Sequence, residues 1–76
     1  MPRLRRVSGE EAIRALERLG FRQIRQRGSH VILKKETAQG SMGCVVPVHR
    51  ELAIGTLYGI LQQAKVSAAE FMDKLQ

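Results

Sequence analysis

Arg25-Gln26-Arg27-Gly28-Ser29-His30-Val31-Ile32-Leu33-Lys34-Lys35 is the stretch on which the fold of this chain turns. Gly28-Ser29 separates a mixed polar run ending at Arg27 from the apolar run Val31 to Leu33, the pattern of a tight reversal between two strands. His30 then opens the second strand, which runs from about His30 to Lys35. Alternation sends Val31 and Leu33 to one face and His30, Ile32 and Lys34 to the other, so a titratable imidazole shares a surface with a cation.

On the N-terminal side, Phe21 to Arg27 reads as the first strand, although its only apolar members, Phe21 and Ile24, stand three apart. The assignment is positional, because Gly20 closes a helix as a left-handed cap and few residues remain before the turn. That helix starts at Ser8, which with Glu11 has the spacing of a capping box, and Val7 is placed to staple onto Ala12. Ala12, Ile13, Leu16 and Leu19 recur at helical spacing, while Glu10, Arg14, Glu17 and Arg18 fall outside that stripe. Met1 to Arg6 is a basic arm without periodic apolar partners. It is expected to be mobile, either reaching phosphates or fraying without a role.

On the C-terminal side, Glu36 to Met42 reads as a loop and Gly43 to Val48 as a valine-rich third strand. Pro47 cannot donate to a ladder, so this strand is an edge or is ending there. His49, Arg50 and Glu51 lead into a second helix with Ile54, Leu57, Ile60, Leu61 and Ala64 on its buried stripe. Gly55 and Gly59 weaken that helix by roughly 1 kcal/mol each relative to alanine, which points to close packing against a neighbour. Ser67 and Glu70 repeat the capping-box spacing and begin a short terminal helix with Phe71 and Leu75 facing inward. The sum is one α+β domain over residues 1–76, in the order α-β-β-β-α. It has a three-stranded antiparallel sheet, helices on one face and a short C-terminal helix.

A domain of 76 residues has little room for an enclosed cavity, so any site is open and shallow. The formal net charge is +6, and it is uneven: residues 1 to 35 hold ten basic and three acidic side chains, residues 36 to 76 three and four. That asymmetry favours a polyanionic partner over a uniformly solvated surface. The single cysteine, Cys44, forms no internal disulfide and reads as a small buried strand residue. With two isolated histidines it shows no zinc spacing, so no metal or cofactor is expected. The longest largely apolar run, Leu52 to Leu61, is well short of the roughly 20 residues that span a bilayer. No secretory pattern opens the chain, and a soluble cytoplasmic protein is the expectation.

The chemistry within reach is proton transfer at a phosphodiester. An imidazole is the side chain best suited to take a proton and give one back near neutral pH, and His30 supplies one. In RNA cleavage the 2′-hydroxyl loses a proton as it attacks phosphorus, the departing 5′-oxygen gains one, and charge builds on the phosphoryl oxygens. Arg25, Arg27 and Lys34 are the candidates for holding those oxygens. His49, just past the third strand, is the candidate for a second acid or base if the meander brings it near. Against this, a lone histidine at a strand start is most often an ordinary surface residue. Ser29 is poorly placed as a nucleophile, since neighbours in a strand point to opposite faces. Tyr58 is the one aromatic placed away from a buried stripe, and the chain has no aromatic-rich sheet for base stacking.

Gly28-Ser29-His30 on a hairpin, Val46-Pro47-Val48-His49 at the end of the third strand, and Gly55-Thr56-Leu57 followed by Ile60-Leu61-Gln62-Gln63-Ala64 resemble the HicA family of toxins in order and spacing. The resemblance runs from about Ser8 to Leu75. It implies a fold like that of double-stranded RNA-binding domains and the activity of a ribosome-independent mRNA interferase. It also implies a catalytic histidine at His30 and a HicB-type antitoxin that covers the site. Two positions depart from the family pattern: Lys65 stands where many relatives have glycine, and Ile54 where many have a basic residue. The first bears on how the second helix ends, the second on a phosphate contact. Two other readings remain open on the residues alone, an RNA-binding module without turnover and a domain whose basic surface docks an acidic protein.

Overall fold

The computed structural model describes residues 4–75. Its elements are α1 (Gly9–Arg18), β1 (Arg22–Arg27), β2 (His30–Thr37), β3 (Gly40–Pro47), α2 (Ile54–Ala64) and α3 (Ala68–Lys74). The strands form one antiparallel sheet in the order β1-β2-β3, and the arrangement is the α+β one of double-stranded RNA-binding domains. No described helix is long and apolar enough to cross a membrane.

Local chemistry sets the helix ends. Ser8 Oγ accepts from the Glu11 amide at 3.0 Å while Glu11 accepts from the Ser8 amide at 2.8 Å, and Ser67 and Glu70 do the same for α3. These are the capping boxes expected from the spacing. At the far end of α1 the Phe21 amide reaches back to Leu16 O and the Gly20 amide to Glu17 O, with Gly20 at φ +102°. This is a Schellman cap, and the buried pair Phe21 and Leu16 supplies its apolar contact. The end of α2 repeats both bonds, Val66 N to Leu61 O and Lys65 N to Gln62 O. Here Lys65, at φ 59° and ψ 40°, occupies the left-handed position that glycine fills in α1. The departure from the family pattern at Lys65 therefore leaves the cap geometry intact and carries a Cβ into a conformation that disfavours one.

Both hairpins are tight. Gly28, at φ +55°, and Ser29 link the paired residues Arg27 and His30. The expected loop at Glu36 to Met42 is instead mostly strand: β2 continues to Thr37, β3 starts at Gly40, and only Ala38-Gln39 turns. Thr37 Oγ1 donates to Gly40 O at 2.6 Å and accepts from the Gln39 amide, closing the turn on itself. Polar composition mimicked a loop because these residues lie on an exposed sheet extension.

β1 has an irregularity that explains its weak alternation. Gln23 pairs with Leu33 and Arg25 with Ile32, leaving Ile24 as the extra residue of a bulge. Gln23 and Gln26 consequently both face α1, where Gln23 meets Glu17 at 3.3 Å, while Ile24 is pushed outward and is 55% exposed. Pro47 sits at the end of edge strand β3, as expected. The Val48 amide bonds Ser29 O at 2.6 Å and the Val45 amide bonds Gln63 Oε1 at 3.3 Å. Alternation then turns the position of the missing Pro47 N–H away from β2, so the ladder loses nothing.

α1 and α2 cover one side of the sheet, and α3 packs against these two helices. Val31 and Leu33 of β2 and Cys44 and Val46 of β3 meet Ala12, Leu16, Leu57, Leu61 and Phe71 in one buried cluster. The start of α1 presses directly on the end of β3. The Gly9 amide donates to His49 O at 2.8 Å, and a Cβ on Gly9 would overlap the Pro47 carbonyl oxygen and stand 2.9 Å from Val48 Cα. Gly55 and Gly59 show the reverse. Nothing lies within 4 Å of a Cβ built on either, so the close packing expected of them is absent within the described chain. The basic arm also differs from expectation. From Leu4 on it is docked: Leu4 packs on the core, Val7 is buried and accepts from the Leu52 amide, and Arg6 pairs with Glu51 at 2.7 Å. Arg3 lies outside the described residues.

Candidate functional site

The side of the sheet away from the helices carries the residues singled out in the hairpin. β2 alternates as its sequence predicts, with Val31 and Leu33 buried, His30 and Lys34 exposed and Ile32 half-buried. Cross-strand register then builds rows. Arg27, His30 and Pro47 form one; Arg25, Ile32 and Val45 the next; Arg22, Lys34 and Gly43 the third. Arg25 and Arg27 are exposed, and His30 stands between Arg27 and Pro47 at the mouth of the sheet. The imidazole has no hydrogen-bond partner among the described side chains, so both ring nitrogens are open to a substrate. Its backbone is firmly held on both sides, by β1 and by β3 with the Val48–Ser29 bond behind it.

The cations are not equivalent. Arg25 and Arg27 are without acidic partners among the described residues, whereas Lys34 Nζ lies 3.7 Å from Glu36 Oε2, an exposed pair. Pairs of this kind contribute little and exchange readily for another anion. Lys35 faces the other way, with its ammonium 5.9 Å from the Phe21 ring centroid. Arg22 belongs to the open face, although the sequence does not single it out. Counting back from Arg25 by strict alternation puts Arg22 on the helix side, and only the bulge at Ile24 reverses that.

His49 is exposed and lies one residue beyond the Val48–Ser29 bond, whereas His30, opposite Pro47, lies on the ladder side of that bond, so antiparallel pairing steps the two histidines apart along the sheet. The His49 side chain lines a small cleft of about 260 Å³ with Ser8, Glu10, Val48 and Arg50, which His30 does not line. A second cleft of about 370 Å³ lies between α1 and the hairpin, lined by Glu10, Arg14, Glu17, Gln23 and Gln26 over Ile13, Val31 and Val48. Tyr58 is half-exposed on α2, a helix that packs on the opposite side of the sheet from His30. Cys44 is buried, and loss of solvation pushes its thiol up to about 11, which removes it as a nucleophile or thiolate ligand near neutral pH. No group of three His, Cys, Asp or Glu side chains that could hold a metal ion forms among the described residues.

The arrangement provides one solvent-open imidazole on a rigid strand, cations in the same and adjoining rows, and a flat approach with no wall. It suits proton transfer on an extended anionic ligand rather than on an enclosed small molecule.

No curated protein matches the chain. A family model described as the HicA toxin of bacterial toxin-antitoxin systems matches residues 9–66, from the first residue of α1 through the cap of α2. That span holds the complete sheet and both histidines, leaving out the arm and α3. The chain belongs to the HicA toxin family of bacterial toxin–antitoxin systems.

Proposed function

We propose that this toxin is a metal-independent mRNA interferase, an endoribonuclease that cuts the RNA backbone with His30 as general acid and base. The observation that carries the reading is the exposure of His30 at the mouth of the open sheet face, in register with Arg27. His30 takes the 2′-hydroxyl proton as that oxygen attacks phosphorus, and the bond from phosphorus to the 5′-oxygen breaks. The 5′-oxygen leaves with a proton from the imidazolium, or from His49 acting as the second group. Products are a 2′,3′-cyclic phosphate and a 5′-hydroxyl. Arg25, Arg27 and Lys34 hold the phosphates and offset the charge that grows on the phosphoryl oxygens. DNA lacks the attacking hydroxyl and is not a substrate. The partner is a HicB-type antitoxin that denies RNA access to His30.

RNA incubated with the protein in excess EDTA tests this directly. Cleavage is expected, and His30→Ala is expected to reduce its rate by about 10²- to 10⁴-fold, the usual contribution of a positioned acid or base, while RNA binding persists. Binding without cleavage by the native protein would instead identify a non-catalytic RNA-binding module. Loss of binding in His30→Ala would show that the histidine holds RNA rather than moving protons.

A further inference from the structure

The cations of the open face stand in single file. Arg27, Arg25 and Arg22 follow one another along β1, each exposed, opposite His30, Ile32 and Lys34 of β2. Strict alternation would put only Arg27 and Arg25 on this side, and the bulge at Ile24 adds Arg22. Successive rows lie two β2 residues apart, a step of about 6.6 Å, comparable to that between phosphates of a drawn-out nucleic-acid strand. The file has two ends. Beyond His30 the strand reverses at Gly28 and Ser29, which carry no charge. Beyond Lys34 the next β2 residue on this face is Glu36, its carboxylate 3.7 Å from Lys34 Nζ and placed to repel a further phosphate.

One file fits one strand. A duplex presents two lines of phosphates with a groove between them, whereas the β3 residues of this face are Ser41, Gly43, Val45 and Pro47, without a cation. Phe21 and Phe71 are buried and Tyr58 is on α2, so no ring stands here to stack a base. Ile32 and Val45 then give bases an unselective apolar contact, and affinity comes from the cations. We infer that the substrate is an extended single strand of RNA laid along β1, with the linkage to be cut beside Arg27 and His30. The next two phosphates, on one side of the cut only, are held by Arg25 and then by Arg22 with Lys34, and Glu36 closes the far end. Arg22 is thus a further substrate-binding residue, two phosphates from the reacting one. The place of the cut at one end of the file rests on the proposed role of His30, and the file itself does not.

Binding of a labelled 2′-O-methyl RNA, which has no free hydroxyl to attack phosphorus, tests the file apart from any cleavage. The parent is expected to bind the single strand more tightly than a duplex of the same length. Arg22→Gln is expected to lower the slope of log affinity against log salt by about 0.7, the share of one phosphate contact on a single strand. Arg14→Gln removes the same charge from exposed α1, on the other side of the sheet, and is expected to leave the slope unchanged. Glu36→Gln, which frees Lys34 and opens the far end, is expected to tighten binding. Thermal midpoints close to that of the parent show the variants folded. A slope unmoved by Arg22→Gln, an equal fall in Arg14→Gln, no tightening in Glu36→Gln, or preference for the duplex overturns the proposal. Cleavage of oligonucleotides with one ribose in a deoxyribose chain sets the register. Two nucleotides added on one side of that ribose are expected to raise kcat/KM severalfold and a third to add nothing, with little gain from the other side. Equal gains on both sides overturn the placement of the cut. If nothing is cleaved, the nuclease reading fails, and the salt slopes still decide the file.

Discussion

Gly9→Ala sets two effects of opposite sign against each other, and the structure says which one wins. Gly9 is the first residue of α1, where alanine is a better helix former by up to about 1 kcal/mol, so helix propensity by itself predicts a more stable protein. In the fold, however, the added Cβ meets the Pro47 carbonyl oxygen, Pro47 C at 3.0 Å and Val48 Cα at 2.9 Å. These are backbone atoms of a strand end already tied to Ser29, so they cannot rotate away as a side chain would. Overpacking of this kind costs about 1–3 kcal/mol. Separating α1 from the strand also stretches the 2.8 Å bond from the Gly9 amide to His49 O, worth about 1 kcal/mol. After subtracting the propensity gain, the net loss is about 2 kcal/mol. For a domain of this size that lowers the thermal midpoint by roughly 8–16 °C. Thermal unfolding followed by circular dichroism measures it, with exchange of the residue 9 and Val48 amides reporting where the structure loosens. A variant whose midpoint equals or exceeds that of the parent would refute the close approach. Because Pro47 is also the cross-strand neighbour of His30, the same variant is expected to lower activity even where it is fully folded.

Lys65→Gly is expected to stabilise the protein by roughly 0.5–1 kcal/mol, the relief of a left-handed Cβ outweighing the greater freedom of glycine in the unfolded chain. A midpoint that falls or stays put would show that the lysine side chain contributes something the cap geometry does not reveal. Acid should weaken both capped helices. The Ser8 amide holds the Glu11 carboxyl below its ordinary 4.5, and the Ser67 amide does the same for Glu70. Since the folded values are depressed, the stabilisation is present above the unfolded value and is lost as pH falls through the folded ones. Thermal midpoints measured between about pH 6 and pH 3 should therefore drop, and Glu11→Gln should lose less over that interval than the parent. An equal loss in both would remove the Glu11 cap from the account of acid sensitivity.

Much of the fold is legible in the sequence, and particular residues show why. Ser8 with Glu11 and Ser67 with Glu70 announce helix starts because a capping box involves only residues three apart. Val31 and Leu33 announce the buried face of β2 because alternation is built into every strand. His30 was legible in the same way, as the residue of opposite parity at the start of that strand. Ambiguous local signals mislead. The polar run from Glu36 to Met42 has the composition of a loop, although its backbone continues the ladder on an exposed extension. The glycines of α2 suggested a neighbour that the described chain does not provide.

What the chain alone determined, then, is everything that depends on a few adjacent residues: caps, turns, strand parity, the buried stripes of α1 and α2, and the charge excess of the first half. What only the folded molecule decided depends on residues far apart in sequence. The bulge that turns Ile24 and Arg22 onto the face of His30 exists only against the register of β2. The need for glycine at position 9 exists only because Pro47 and Val48 lie against it. An alternation rule counts along one strand and a helix propensity along one helix, and neither contains the position of a second segment. Contact between segments is set when the whole core closes, and it is there that Ile24, the cations and the imidazole come to share one surface.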